Sequence, residues 1–335
     1  MITLSTILLV LLDPDTYIYI GWGILILLTV GLIWLLLRNR KRWVRLLASV
    51  LTFLLWLAFL YGAYVGPRQF EVRHVEIAFD DLPLSFDGYT IVQFSDVHAG
   101  TLAGSRAELL ERAVDSINAQ QADMVVFTGD LQNKKPTELM PFVDLLGSIK
   151  AKDGVFSVKG NHDYPMYIDD EMEQLDDMEY RRQVDDMIGW TVLDNCHYSV
   201  RRGDEHICIA GMENDGDAKR FPKKGNIQRA LSGIMRDEFV VMLEHDPTAW
   251  RRKILPECHA QLTLSGHTHG GQVSLFGLSP AGLDYKEYNG LYTIGGRYLH
   301  VSSGLSGVVP FRLGVTPEIV VITLRRNDKV NRLID

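Results

Sequence analysis

Two uncharged apolar runs near the start of this chain limit what it can fold into more than any other feature. Tyr17 to Leu37 is 21 residues without a charge, and Leu46 to Val65 is another 20. As helices, each would be roughly 30 Å long, enough to cross the hydrocarbon core of a bilayer. A chain of 335 residues then has room for one further domain of ordinary size. The average composition, 47% hydrophobic and 23% charged, hides this split between an apolar end and an ordinary remainder.

The segment between the runs, Arg38-Asn39-Arg40-Lys41-Arg42-Trp43-Val44-Arg45, is densely basic. Cytoplasmic loops collect Lys and Arg, so both ends of the hairpin are expected to face outward. Trp22, Trp34, Trp43 and Trp56 include candidate interface anchors. A cleaved signal peptide would instead show one short apolar core behind a basic leader. Met1 to Leu12 is apolar but lacks that leader, and Asp13-Pro14-Asp15 interrupts it. Twelve residues are too few to span, so this segment is expected at the interface or against the hairpin. If it crossed, the orientation would invert. The reading is a multi-pass protein of the inner (cytoplasmic) membrane: residues 1–66 form the membrane unit and residues 67–335 a periplasmic domain.

A net charge of −8 argues against a nucleic-acid partner, which calls for a basic footprint. Cys196, Cys208 and Cys258 have no CxxC spacing, so neither a disulfide framework nor a thiolate zinc site is expected. Oligomeric state is not legible.

After Gly66-Pro67-Arg68 the pattern alternates. Strands are expected at Phe70 to Phe79, Tyr89 to Phe94, Met124 to Thr128 and Val155 to Val158, with helices at Ser105 to Gln121 and Pro136 to Ile149. Later strands are expected at His206 to Ala210, Phe239 to Leu243, Gln261 to Leu264 and Ile319 to Leu324. The fold class is α/β, layered, with helices flanking the sheets. Asp169 to Met187 is helical and strongly acidic; such a run is ordinarily a solvated face, with a lid over the site as the alternative.

Five motifs fall at strand ends or in the loops after them, where α/β sheets place ligands. They are Asp96-Val97-His98, Gly129-Asp130, Gly160-Asn161-His162-Asp163, His245-Asp246-Pro247 and Gly266-His267-Thr268-His269-Gly270-Gly271. Residues two apart in extended chain point the same way, so Asp96 with His98, and His267 with His269, can each face one cluster. Half of the ten histidines lie in these motifs. His74, His197, His206, His259 and His300 lack such spacing; of these, His206 and His259 are the two that could still approach the site.

This order of motifs resembles the calcineurin-like metallophosphoesterase superfamily, over roughly Phe70 to Leu324. The tail from Gly290-Leu291-Tyr292 through Val301-Ser302-Ser303-Gly304-Leu305 to Pro317-Glu318-Ile319 is similar to the membrane-linked bacterial branch of phosphodiesterases and UDP-2,3-diacylglucosamine hydrolases. The resemblance implies a layered β-sandwich and two divalent ions bridged by Asp130. Asp96, His98 and His269 would complete one site, and Asn161, His245 and His267 the other. Such mixed ligands suit Mn, Fe or Zn, and paired ions can hold a bridging hydroxide. His162 matches a proton donor or transition-state stabiliser. Asp163 is expected to orient its imidazole, and Asp246 to support His245 or cap the following helix.

The implied reaction is hydrolysis of a phosphodiester or pyrophosphate, with a lipid-linked ester made accessible by the anchor. UDP-2,3-diacylglucosamine hydrolysis in lipid A synthesis is the alternative, in tension with an outward-facing domain because those precursors are handled on the cytoplasmic face. A non-catalytic binding module would have lost ligand positions, and none is lost. The basic patch Lys219-Arg220-Phe221-Pro222-Lys223-Lys224 is either a solvated loop or a contact for an anionic head group.

Overall fold

The structure, a computed structural model, describes residues 13–38, 41–102 and 104–327. The first apolar run is α1 (Pro14–Arg38). Asp13 starts it: its carboxylate accepts the N–H of Asp15 at 2.9 Å, and proline follows at a position where no N–H is needed. The second is α2 (Arg42–Leu60), prolonged by a π turn, Tyr61–Val65, and a 3-10 turn, Gly66–Arg68. Both helices are long and apolar enough to cross a membrane. They expose Leu27, Leu37, Leu46 and Phe53 broadly, a surface that water would not favour. Between them, the Trp22 ring lies edge-on to Trp56 at 5.2 Å and to Phe59 at 5.6 Å. The segment Met1 to Leu12, and Asn39 and Arg40 of the basic turn, lie outside the described residues.

The remainder forms two six-stranded mixed sheets with flanking helices. The first sheet contains β1 (Glu71–Phe79), β2 (Thr90–Phe94), β3 (Met124–Phe127), β4 (Val155–Ser157), β5 (Thr191–Val192) and β12 (Glu318–Arg326). Its order is β1-β12-β2-β3-β4-β5, with only the β12–β2 pair antiparallel. The second contains β6 (Cys196–Arg202), β7 (Glu205–Gly211), β8 (Val240–Leu243), β9 (Leu262–Ser265), β10 (Gly290–Ile294) and β11 (Arg297–Val301). Its order is β10-β11-β9-β8-β7-β6, parallel at the centre and antiparallel at both edges.

Period-two alternation decides which side chain enters which layer. Ile91, Met124, Val126 and Ile322 of the first sheet meet Ile207, Ile209, Val241 and Leu264 of the second in the central core. Their neighbours Val92, Phe94, Val125 and Phe127 point outward beneath α3 (Ala107–Ala119), α4 (Val143–Gly147) and α5 (Glu171–Ile188). On the other outer face, Cys208, Ala210, Val240 and Met242 pack on Trp250 and Ile254. Expectation and structure differ at Pro136 to Ile149. Pro141 prevents a continuous α-helix, leaving a 3-10 stretch, Pro136–Phe142, and the single turn α4. Strands β5, β6, β10 and β11 are additional; three of them are edge or half-exposed strands without a continuous apolar run.

Candidate metal centre

The five motifs meet at one end of the sandwich, beyond the carboxyl ends of β2, β3, β4, β8 and β9. There the chain turns through left-handed backbone: Asp96, His98, Asp130, His267 and His269 have φ between 43° and 74°. Convergence within the first and last motifs therefore comes from these turns and not from strand alternation. Glycine is required where backbones close in. A Cβ on Gly160 would strike the Asp130 carboxylate, and one on Gly266 would strike Ser95 and Asp96.

The side chains form two adjoining groups. Donor atoms of Asp96, His98 and His269 lie within 4.8 Å of one another, as do those of Asp130, His245 and His267. Asp130 stands between them: its Oδ2 is 3.6 Å from His98 Nε2 and 3.2 Å from His245 Nε2. His245 Nδ1 donates to the Thr128 carbonyl at 2.7 Å, and His269 Nδ1 to that of Ser306 at 3.2 Å. A carbonyl only accepts, so each of these rings turns an Nε2 lone pair inward. His267 is reversed. Its Nε2 meets the Tyr285 hydroxyl at 2.9 Å, and its Nδ1 lies 3.2 Å from His245 Nε2.

Electrostatics favour a cation. Burial pushes the His98 imidazole down to about 3 and that of His267 to about 4, and holds His269 well below its ordinary value. These rings keep lone pairs free. Burial pushes Asp96 up to about 7. Burial also works against ionisation of Asp130, but His245, His162 and His98 together hold it well below the usual carboxylate range. His245 would fall on burial alone; Asp130 raises it to about 10. A positive charge belongs between these two, and a metal ion answers that demand as a proton does. The fit is supported by orphaned atoms: both ring nitrogens of His98 and Oδ1 of Asn161 are buried without a hydrogen-bond partner.

One expected role changes, and another resolves to the second of its two alternatives. Asp163 does not touch the His162 ring. Its carboxylate accepts the N–H groups of Asp130, Leu131, Gln132 and Gly160, and pairs with buried Arg181 at 2.5 Å. The His162 ring is oriented by Asn133, whose carbonyl accepts from Nδ1 at 2.6 Å, with the Tyr167 hydroxyl 3.3 Å from either nitrogen. Asp246 caps the turn after Pro247 with Oδ1, which accepts from Thr248 N–H and its hydroxyl. Its Oδ2 faces His267 at 3.5 Å, not His245. His206 and His259 both bond to Glu238 and do not join the centre. The acidic helix α5 buries Val184 and Ile188 against the first sheet, so it is a packed layer, not a lid. Tyr167, Tyr285, Asn133 and Arg181 carried no spacing signal in the sequence. The basic patch does reach the rim: Phe221 lies edge-on to His267 at 4.9 Å, and exposed Arg220 stacks on Phe221 at 4.8 Å.

The profile of the calcineurin-like phosphoesterase family matches residues 89–271, more than half of the chain. The chain belongs to this family. It is 30% identical over 274 residues to "Uncharacterized metallophosphoesterase YkuE" of Bacillus subtilis, covering 79% of this chain and 89% of that one. It is 31% identical over 276 residues to "Transmembrane protein with metallophosphoesterase domain" of Danio rerio, covering 80% of this chain. The protein of the same name in Bos taurus is 29% identical over 284 residues, covering 83%. This chain spans 60% and 62% of the length of those two vertebrate relatives. Calcineurin-like phosphoesterases normally bind two divalent metals, and the two side-chain groups described above are the candidate ligand clusters of this member.

Proposed function

We propose that this chain is a membrane-held, metal-dependent phosphoesterase that cleaves a phosphodiester or pyrophosphate bond. The observation that carries the proposal is the convergence of Asp96, His98, Asp130, Asn161, His245, His267 and His269, with inward lone pairs and orphaned buried donors. Asp96, His98 and His269 would hold one ion and Asn161, His245 and His267 the other, with Asp130 offering a carboxylate to both. Mn, Fe or Zn suits this N/O donor set. Two such ions would supply Lewis acidity and a nucleophile active at neutral pH.

The chain's own residues supply the rest. His162, with Nδ1–H committed to the Asn133 carbonyl, would act as the imidazolium, giving its Nε2 proton to the departing oxygen. Asp163 acts by position: it gathers the N–H groups of the loop that aims Asp130. Arg220 places a cation at the rim, suited to an anionic substrate. The hairpin of residues 1–66 holds domain 67–335 at the bilayer, and the basic turn supports an outward-facing domain and lipid-linked substrates. Protease treatment of intact spheroplasts tests the topology. Cleavage within the domain is expected, and full protection reverses the orientation.

For the chemistry, purified full-length chain should hydrolyse bis(p-nitrophenyl) phosphate with Mn²⁺. Asp130→Ala and His267→Ala should each reduce turnover by at least about 10²-fold, the scale of losing a preorganised catalytic interaction. Undiminished turnover in either variant would defeat the assignment.

A further inference from the structure

We infer that a cavity at the junction of the hairpin and the catalytic domain receives one hydrocarbon chain of a lipid substrate drawn from the bilayer. The inference deepens the phosphoesterase reading and rests on it. The cavity has a volume of about 960 Å³, near the upper end of ordinary ligand pockets. Leu102, Ala107, Pro141, Phe142 and Leu145 make its apolar wall.

Its position identifies the occupant. It is bordered by Asp13 and Pro14, where the bilayer-length helix α1 begins. It is bordered also by Ala99 and Gly100, which directly follow His98, and by Asn133, which holds His162. The hairpin is fixed at this level by two contacts. Asp15 pairs with Arg106 at 2.7 Å, and the Arg312 N–H donates to the Gly62 carbonyl at 2.8 Å. The cavity thus joins the outer end of a lipid-facing helix to the loop carrying a proposed ligand. The charged lining is Asp13, Glu111, Lys134 and Glu138, and Glu138 is engaged by the N–H groups of Asn133 and Lys134. A molecule with a phosphate head at the metals could lay a hydrocarbon tail along the apolar wall beside the hairpin.

The test uses the full-length chain in phosphatidylcholine vesicles, doped with a palmitoyl phosphatidic acid carrying a diazirine at the chain end. After irradiation, peptide mass spectrometry should place label in segments 99–107 and 138–145 as well as on the lipid faces of the hairpin. Ala107→Trp narrows the cavity and should lower label in those two segments by more than half, with hairpin labelling unchanged as the internal control for folding and insertion. Leu145→Trp, on the opposite wall, serves the same purpose if Ala107→Trp fails to insert. Label confined to the hairpin faces overturns the inference. So does label that reaches the cavity only after residues 1–12 are removed, since that outcome makes the chain's own apolar segment the occupant. The readout needs no turnover. Cavity label in a chain that fails to turn over bis(p-nitrophenyl) phosphate with Mn²⁺ sinks the phosphoesterase reading alone, and turnover of that diester without cavity label sinks this inference alone.

Discussion

Left-handed backbone at Asp96, His98, Asp130, His267 and His269 costs about 1 kcal/mol or more per residue, somewhat less for Asp and His than for other side chains. Such strain persists only where surrounding bonds hold it, and Asp163 provides three of those bonds to the loop around Asp130 and a fourth to Gly160. Arg181→Met should therefore leave Asp163 a buried charge without its cation, destabilising the fold by about 3 kcal/mol in denaturant titration. His162→Gln should lower kcat at least about 10²-fold while metal content, measured by inductively coupled plasma spectrometry, stays unchanged. Asp123 offers a pH test remote from the metals. Burial opposes its ionisation, but the Thr90 N–H, Lys152 and Arg202 outweigh this and lower it from 3.8 to about 2. A depressed carboxyl contributes stability above pH 3.8 and loses it as pH falls toward 2. Asp123→Asn should cost about 1 kcal/mol at pH 7, a value discounted for solvent screening, and the gap to wild type should close through that acid window. The proposed ligand residues were legible because Asp, Asn and His recur in short motifs after apolar strands. The role of Asp163 was not, since spacing carries no record of which backbone N–H groups a carboxylate will gather.

At the scale of elements, the hairpin is more than a tether because two chains of contacts run from it into the metal loops. Asp15 of α1 pairs with Arg106, whose Nε donates to the Thr101 carbonyl at 2.6 Å, and the Thr101 hydroxyl donates to the His98 carbonyl at 2.9 Å. On the other side, Phe311 lies against Phe59 at 5.9 Å, and the Arg312 guanidinium donates to the carbonyls of His269, Ser303 and Ser306. Thr101 and Ser306 join the two chains through their hydroxyls, 2.7 Å apart. Arg312→Met should thus weaken Mn²⁺ binding about 10-fold or more by isothermal titration, the effect of disturbing groups that orient ligands. Lysine should restore it only in part, because one ammonium does not reproduce the planar fork. The main elements could be read from their apolar pattern, since β3 and β8 are continuous apolar runs and β2 and β9 are mainly buried runs broken by Thr90, Gln93, Thr263 and Ser265. Strand β6 could not: Cys196-His197-Tyr198-Ser199-Val200-Arg201-Arg202 is a half-exposed edge with no such run.

For the whole molecule, a family phosphoesterase domain is carried on two helices that expose apolar surface, and contacts from Asp15 and Phe59 run from them toward its candidate centre. The centre concentrates Asp96, Asp130 and four proposed histidine ligands in a buried space, so the bound ions should also hold the fold. Free Mn²⁺ at 100 times its dissociation constant should add about 2.7 kcal/mol of stability, visible as a chelator-sensitive rise in Tm. The most direct test is the metal stoichiometry of purified full-length chain, titrated from the chelated form with Mn²⁺ and followed together with phosphodiester turnover. The prediction is two ions per chain, with activity rising as the second binds, and loss of both binding and turnover in Asp130→Ala. One ion at saturation, or two ions retained with full turnover in that variant, would contradict the two-metal centre.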